Sequence, residues 1–262
     1  MNNTYIVYHA NCLDGFGAAW AARHALGPDI NFIPASHGST PPSFPAGAQV
    51  FIFDFSYDRD TLTRINEHCD LVLLDHHQTA EKDLIGLDFA TFDMNRSGAM
   101  MAWDYFFPDQ EAPDLLKWIQ DRDLWRWEYE DSKAATAAIQ AYPREFEVWD
   151  DLMANPQKLV AAGLVALSLT EQQVDQICKN SYMSDVAGFT VPVANATCYW
   201  SEVGNTLCKR FPDSPFSATW YLMSNGSKKW SLRSIGDFDV SAIAKNYGGG
   251  GHKNAAGFAS ID

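Results

Sequence analysis

Basic residues, cysteines and long apolar runs are all scarce in this chain of 262 residues. Lysine and arginine number 19 against 33 aspartates and glutamates, so the formal net charge at pH 7 is −14. Because non-specific binding to nucleic acid needs many basic side chains on the phosphates, we expect no binding to duplex DNA. Short phosphorylated substrates remain open, since a bound metal ion can supply positive charge locally.

The chain also lacks the segments that would direct it out of the cytoplasm. No apolar run approaches the roughly 20 residues that a membrane span needs, and the first four residues are not a basic segment followed by an apolar one. The five cysteines are an odd, scattered set, unlike a secreted disulfide framework. We therefore expect a cytoplasmic protein with reduced thiols and no membrane association.

Alternating apolar and helical patterns fill the first third of the chain. Short apolar runs at 5–8, 31–33, 50–53 and 71–74 alternate with helical patterns at 15–26 and 58–68. Such alternation predicts an α/β fold with a parallel sheet covered on both faces. Helical patterning dominates 97–153, with Ser97 as a candidate N-cap, and 156–182 is typical of one long helix.

Beyond Asp185 the pattern returns to short strands joined by turn residues such as Asn225 and Gly226. We predict three segments: an N-terminal α/β domain at 1–153, a helical connector at 154–185 and a smaller C-terminal α+β domain at 186–262. The C-terminal domain is expected to close over a substrate cleft. Neither an internal repeat nor a low-complexity segment is present.

Chemically capable side chains follow three of the predicted strands. His9 follows the first, Asp54 the third, and Asp75, His76 and His77 the fourth. Ligands of open parallel sheets bind beyond the carboxyl ends of the strands, so these groups should converge on one crevice.

The full candidate set adds Asp14 and Asp121, the latter on a predicted loop after a helix at 115–120. Each residue alone could cap a helix or satisfy a loop, but jointly they predict a metal centre. Imidazole with carboxylate suits manganese, iron or zinc, and bridging carboxylates suit a pair of ions. Two metals about 3.5 to 4 Å apart can polarise a phosphoryl oxygen and deprotonate a water.

Five ordered motifs between residues 9 and 258 resemble those of the DHH superfamily of phosphoesterases. The resemblance is greatest to the branch with a DHH-associated C-terminal domain, which includes RecJ-like exonucleases and nano-RNases. The motifs are His9-Ala10-Asn11-Cys12-Leu13-Asp14-Gly15, Phe53-Asp54, Asp75-His76-His77, Asp121 and Gly248-Gly249-Gly250-Gly251-His252.

The resemblance implies a division of the metal ligands. His9, Asp54 and the first motif would hold one ion, and Asp14, Asp54, His76 and Asp121 the second, with Asp54 bridging. We expect two Mn²⁺ ions, with Mg²⁺, Fe²⁺ or Zn²⁺ as alternatives. His77 would face the substrate phosphate, and Gly249, Gly250, Gly251 and His252 would bind substrate.

Cys12 departs from the pattern, because the first motif of the family usually offers two aspartates two residues apart. Three outcomes follow: Cys12 ligates a thiophilic metal, the first metal site is weak, or one metal suffices. A weakened or altered first site is favoured, since buried cysteine is commonly inert.

The remaining site residues have individual predictions. Adjacent side chains of an extended strand end point oppositely, so His77 is better placed to hydrogen-bond phosphate or protonate the leaving oxygen than to share a metal with His76. Asp75 should accept a bond from a histidine or a backbone N–H. Asp123 is the rival of Asp121 for the last ligand position. Arg233 is a candidate phosphate clamp, because its planar fork can hold a phosphate through two bonds.

The predicted function is hydrolysis of phosphoric ester bonds in short single-stranded oligonucleotides or small nucleotides, as in a nano-RNase, exonuclease or nucleotide phosphatase. An inorganic pyrophosphatase or exopolyphosphatase is the enzymatic alternative. A catalytically weak nucleotide-binding or sensor protein is the alternative of another class. A homodimer stays open. The aromatic residues Trp125, Trp127 and Tyr129 and the histidines His24, His37 and His68 are left outside the site.

Overall fold

A computed structural model describes residues 3–36 and 38–260, so His37 lies outside the described residues. The chain divides into two compact units, Met1–Leu167 and Ser168–Asp262. The division falls inside the long helix α8 (Gln157–Lys179), which occupies most of the stretch where the sequence predicts a single helix. The three-segment division with a boundary near Asp185 stays a prediction.

The first unit contains a parallel sheet of five strands in the order β2-β1-β3-β4-β5. The strands are β1 (Thr4–His9), β2 (Asn31–Ala35), β3 (Gln49–Phe53), β4 (Asp70–Asp75) and β5 (Ala90–Phe92). The helices are α1 (Leu13–Leu26), α2 (Arg59–Asn66), α3 (Gln78–Leu84), α4 (Gly98–Phe106), α5 (Asp114–Asp123), α6 (Ser132–Ala138) and α7 (Phe146–Ala154). The predicted parallel α/β fold is confirmed.

Both faces of this sheet are buried, which explains the continuous apolar runs of its central strands. Phe51 and Phe53 of β3 pack on one face with the residues of α1 and α4. Val50 and Ile52 of the same strand pack on the other face with Leu62 of α2. Because side chains alternate along β3, this one apolar run contributes residues to two separate cores, one on each face of the sheet.

Local signals set several helix boundaries. The Ser97 hydroxyl accepts a bond from the Met100 N–H, so Ser97 is the N-cap of α4, as predicted. The sequence predicted that Asp121 lies on a loop. That prediction was wrong, because α5 continues to Asp123 and Asp121 lies in its last turn. Among the described residues, no single helix is long and apolar enough to cross a membrane, although α7 and α8 together pass on length and composition.

The second unit carries a mixed sheet of six strands in the order β10-β11-β9-β8-β7-β6. Its elements are β6 (Tyr182–Val186), β7 (Phe189–Asn195), α9 (Trp200–Arg210), β8 (Ser217–Leu222), β9 (Lys228–Arg233), α10 (Val240–Asn246), β10 (Gly250–His252) and β11 (Ala255–Ser260). Strands β7 and β8 pair in parallel and the other neighbours pair antiparallel. Helix α9 is not among the elements predicted from the sequence, and its buried face is limited to four residues.

The glycine run after α10 forms part of this sheet. A Cβ on Gly249 would lie 2.1 Å from the carbonyl oxygen of Gly257, and one on Gly251 would lie 2.5 Å from that of Ala255. Gly251 also has a φ of +137°, which favours glycine. Close approach of β10 to β11 thus requires glycine at both positions, independently of any ligand.

Candidate metal centre

Residues at the carboxyl ends of three neighbouring strands of the first unit lie close together. His9 ends β1, Asp54 follows β3, and His76 follows β4, and β3 lies between the other two strands. The His76 Nε2 atom lies 3.0 Å from Asp54 Oδ1, and the His9 Nδ1 atom lies 3.4 Å from Asp54 Oδ2. The structure therefore brings these predicted site residues together, with one Asp54 oxygen directed to each histidine.

Asp14 reaches the same point from the first turn of α1. A Cβ on Gly15 would lie 2.3 Å from the His9 carbonyl oxygen, so only glycine lets α1 begin so close to the end of β1. The Asp14 carboxylate accepts bonds from the Gly98 and Ala99 N–H groups, at 2.5 and 3.0 Å. These are among the otherwise unpaired donors at the start of α4.

The Asp14 Oδ2 atom also lies 3.6 Å from His76 Nε2. Gly98 is equally constrained, because a Cβ there would lie 2.5 Å from the Asp54 Cβ. Sequence reasoning missed Gly98, whose signal was its position directly after the N-cap Ser97.

Asp123, and not Asp121, completes this group of carboxylates. The Asp123 Oδ2 atom lies 3.5 Å from His76 Nε2. The Asp121 carboxylate instead accepts bonds from the Glu128 and Tyr129 N–H groups, at 2.8 and 3.2 Å. The structure does not bring Asp121 into the cluster, and the rival position named from the sequence occupies that place.

The donor atoms form two adjacent sets that share Asp54. One nitrogen of His9, the sulfur of Cys12 and one oxygen of Asp54 lie within 4.8 Å of one another. Asp14, His76 and Asp123 form a second set within the same limit, and Asp54 also contacts His76. The arrangement matches a pair of cation sites with Asp54 between them.

Asp54 and His76 form a strongly polarised buried pair. Burial alone would raise the pKa of Asp54, but hydrogen bonds and charge from His76 and His9 hold it well below its usual range. Burial likewise favours neutral His76, yet the bond to Asp54 and the charges of Asp123, Asp54 and Asp14 raise its pKa to about 10. The imidazole therefore stays protonated at neutral pH in the absence of metal.

Burial shifts the pKa of each of the other acids of the cluster upward. Burial, followed by the charges of Asp54 and Asp123, raises the pKa of Asp14 well above its usual value. Burial also raises the pKa of Asp123 and, together with the three carboxylates, that of the Cys12 thiol.

Two buried carboxylate oxygens have only long contacts within the described part of the chain, Asp54 Oδ2 with His9 Nδ1 at 3.4 Å and Asp123 Oδ2 with His76 Nε2 at 3.5 Å. Buried oxygens without donors are costly in a protein interior. A buried cluster with several carboxylates, in which two oxygens lack a short hydrogen bond, fits divalent cations.

Asp54 itself adopts a left-handed backbone conformation, with φ of +62°. This region is unfavourable for residues other than glycine and is often held at functional sites. The turn allows the Asp54 side chain to meet both histidines directly after a buried strand. One of the unfavourable backbone conformations of the chain is thus found at the residue that the two donor sets share.

Asp75 and His77 form a hydrogen-bonded pair that adjoins the cluster, and donor atoms of Asp54, Asp75 and His77 lie within 4.8 Å of one another. Asp75 is fully buried and accepts bonds from His77 Nδ1 at 2.7 Å, from the His76 N–H at 2.8 Å and from the Ser56 hydroxyl at 2.6 Å. Burial would lower the pKa of His77, but the charge and bond of Asp75 raise it. Asp75 therefore fixes the His77 ring with Nε2 at the far end from the carboxylate and favours its protonated form.

Arg233 lies in the second unit, at the end of β9. Its guanidinium donates to the Ser201 hydroxyl at 2.7 Å and to the Leu232 carbonyl at 2.8 Å, while Gly204 of α9 packs against its stem. Burial lowers its pKa to about 10. The side chain is thus held in place by its own unit.

The residues left outside the site have packing contacts of their own. Trp125 and Trp127 meet edge to face at 5.0 Å, and the Lys133 ammonium lies over the Trp127 ring. His24 stacks on Trp20 at 5.1 Å. Trp125, Trp127 and His24 therefore each have a packing contact outside the cluster.

Comparison with known proteins found relatives of similar sequence and structures of similar fold. No protein-family model matches the chain. The chain is 31% identical to an uncharacterized protein of Acanthamoeba polyphaga mimivirus over 97% of its own length, and it spans 66% of that protein, slightly less than two thirds. It is 27% identical to the oligoribonuclease NrnB of Bacillus subtilis, over 98% of this chain and 73% of the relative.

A solved structure, described as a pGpG-specific phosphodiesterase of Vibrio cholerae, superposes with a TM-score of 0.51 at 11% identity. The match covers 98% of this chain and 93% of the other. Together with the ordered motifs and the cluster at the ends of β1, β3 and β4, the relative from Bacillus subtilis supports a phosphoesterase of the DHH superfamily, and the structural likeness shows a similar fold.

Proposed function

We propose that this chain is a metal-dependent hydrolase of phosphoric ester bonds that acts on short single-stranded oligonucleotides or small nucleotides. One observation carries the proposal: three carboxylates, two imidazoles and a thiol from five separate segments converge at the carboxyl edge of a parallel sheet. The relative from Bacillus subtilis, named an oligoribonuclease, supports the substrate class. The cytoplasmic location predicted from the sequence stays a prediction.

Two divalent cations, with Mn²⁺ as the first choice, would be held by the two donor sets. His9, Cys12 and Asp54 would hold one, and Asp14, Asp54, His76 and Asp123 the other, with Asp123 replacing the Asp121 expected from the sequence. Mg²⁺, Fe²⁺ and Zn²⁺ are the alternatives. Bound divalent ions polarise phosphoryl oxygens and lower the pKa of bound water.

His77 would act on the substrate directly. Because Asp75 holds Nδ1 and favours the protonated ring, Nε2 can donate a hydrogen bond to the phosphate or a proton to the leaving oxygen. Asp75 would act through His77 as a positioning residue. Substrate binding by Arg233, Gly249, Gly250, Gly251 and His252 stays part of the proposal.

The test is an assay of the purified protein with Mn²⁺ against a dinucleotide, short oligoribonucleotides, 3′-phosphoadenosine phosphate, pyrophosphate and polyphosphate. We expect turnover of the nucleotide substrates, abolished by chelation and by Asp54→Asn, with thermal unfolding as the check on folding. His77→Asn should lower kcat by on the order of 100- to 10,000-fold while metal binding is retained.

The outcomes separate the alternatives. Turnover confined to pyrophosphate or polyphosphate would identify a pyrophosphatase or exopolyphosphatase. Tight binding of a nucleotide without turnover of any substrate would identify a sensor protein. Full turnover after exhaustive chelation would contradict the role of the metals.

A further inference from the structure

The two donor sets of the candidate centre differ in chemical softness. One set offers a sulfur, a nitrogen and an oxygen from Cys12, His9 and Asp54. The other offers three carboxylates, Asp14, Asp54 and Asp123, around a single imidazole, His76. We propose that the Cys12 set selects a thiophilic ion such as Zn²⁺, whereas the Asp123 set takes a harder ion such as Mn²⁺.

Ligand chemistry supports this division. Thiolate, imidazole and carboxylate are the three side-chain ligands that zinc uses in proteins. Manganese prefers oxygen ligands, and thiolate favours softer ions over it. A centre with both sets side by side would therefore hold two different metals, bridged by Asp54. This inference rests on the proposed metal centre but not on the proposed substrate.

The position of Cys12 argues against an inert core thiol. Cys12 is the N-cap residue of the 14-residue helix α1, and its side chain makes no capping hydrogen bond to the helix. Its sulfur lies within 4.8 Å of a nitrogen of His9 and an oxygen of Asp54, and the side chain is only partly buried. Cys198, which is exposed in the second unit, serves as the control cysteine.

Binding exchanges a proton for the metal without any redox change. The S–H bond of Cys12 breaks, a sulfur–metal bond forms, and the proton leaves to solvent. The oxidation state of the sulfur does not change. Neither an oxidant nor a second thiol is required.

Cobalt provides the direct test, because Co²⁺ occupies zinc sites and a cobalt–thiolate bond absorbs light in the near ultraviolet. Titration of the metal-free full chain should raise this absorption linearly until one equivalent of Co²⁺ is bound. Later addition of Mn²⁺ should leave the band in place while the paramagnetic resonance signal of Mn²⁺ reports one further bound ion. Cys12→Ser should abolish the band, and the control Cys198→Ser should keep it.

Metal selectivity provides the second test. Competition titrations should show that Cys12→Asp lowers the ratio of Zn²⁺ to Mn²⁺ affinity at the first site by at least about tenfold. The protein should then bind two Mn²⁺ ions, and thermal unfolding checks that the variant is folded.

Absence of the thiolate band, or its persistence in Cys12→Ser, would overturn the inference. An unchanged selectivity ratio in Cys12→Asp would do the same. Hydrolysis without a thiolate band would leave the proposed function intact, whereas a band without hydrolysis of any substrate would leave this inference intact.

Discussion

Asp121 and Asp123 both lie in the last turn of α5, yet only Asp123 contacts His76. Residues two apart on a helix differ in direction by roughly 200°. If Asp123 faces the cluster, Asp121 must face away, and its carboxylate finds the N–H groups of Glu128 and Tyr129. Two identical side chains thus have different partners: Asp123 faces the donor cluster, and Asp121 anchors the loop after α5.

Substitution of these two residues should therefore give opposite results. We expect Asp123→Asn to weaken Mn²⁺ binding by on the order of tenfold or more while thermal stability changes little, because a hard oxygen ligand is lost. Asp121→Asn should keep Mn²⁺ affinity and lower the free energy of unfolding by about 1 to 3 kcal/mol, because bonds from backbone N–H groups to a buried charge are weakened.

Calorimetric titration with Mn²⁺ and urea unfolding measure the two effects. If Asp121→Asn reduced Mn²⁺ affinity as much as Asp123→Asn did, the result would contradict the conclusion that only Asp123 faces the donor cluster.

Among the helices, α2 is capped by a carboxylate whose contribution depends on pH. Asp58 accepts bonds from the Thr61 N–H at 2.9 Å and from the Thr61 hydroxyl at 2.8 Å, and both lower its pKa. Because the folded pKa lies below that of the unfolded chain, the stabilisation is present above about pH 4 and is lost as pH falls through the folded pKa.

We expect Asp58→Ala to lower the free energy of unfolding by about 1 kcal/mol at pH 7, the usual value of an N-cap. The difference from the wild type should shrink at the lowest pH at which the protein remains folded. Asp60→Ala, in the first turn but not at the cap, is the control and should cost less. A constant difference across pH, measured by urea unfolding, would show that Asp58 acts through packing.

Gly98, at the start of α4, lies directly against Asp54. A Cβ on Gly98 would lie 2.5 Å from the Asp54 Cβ, whereas one on Gly17 would meet side chains of α4 and α5 at 3.0 Å or more. Gly98→Ala should therefore displace Asp54 and weaken metal binding by on the order of tenfold or more. Gly17→Ala should alter only the unfolding temperature. Equal metal affinities of the two variants would argue against the contact with Asp54.

The molecule as a whole comprises two units, and Arg233 offers a test of what the second one contributes. Arg233→Ala should raise KM for a dinucleotide by about 10- to 100-fold, the loss expected for one charge-assisted bond to phosphate. Hydrolysis of a small generic phosphodiester should change far less. Arg210→Ala, which removes an exposed ion pair with Asp175, is the control.

Because Arg233 also packs against Gly204, unfolding of each variant is measured beside its kinetics. Equal losses for both substrates would place Arg233 in the fold or the chemistry. An unchanged KM for the dinucleotide would remove it from substrate recognition.

Much of the fold was predictable because its signals are local. Buried parallel strands require apolar runs, and 5–8, 50–53 and 71–74 fall inside β1, β3 and β4. The short elements α3 and β5 were missed, since seven and three residues give too little periodicity to recognise. The same limit applies to β10, where glycines needed for close approach to β11 look like a flexible turn.

Local sequence was sufficient to place His9, Asp54 and His76 at strand ends, because the strand pattern and the family motifs are written in consecutive residues. Only the tertiary structure decided that Asp123 joins them, that Cys12 meets His9 and Asp54, and that Gly98 must lack a side chain. Those contacts join residues from separate elements, and they depend on helix phase and close packing, which no short stretch of sequence records.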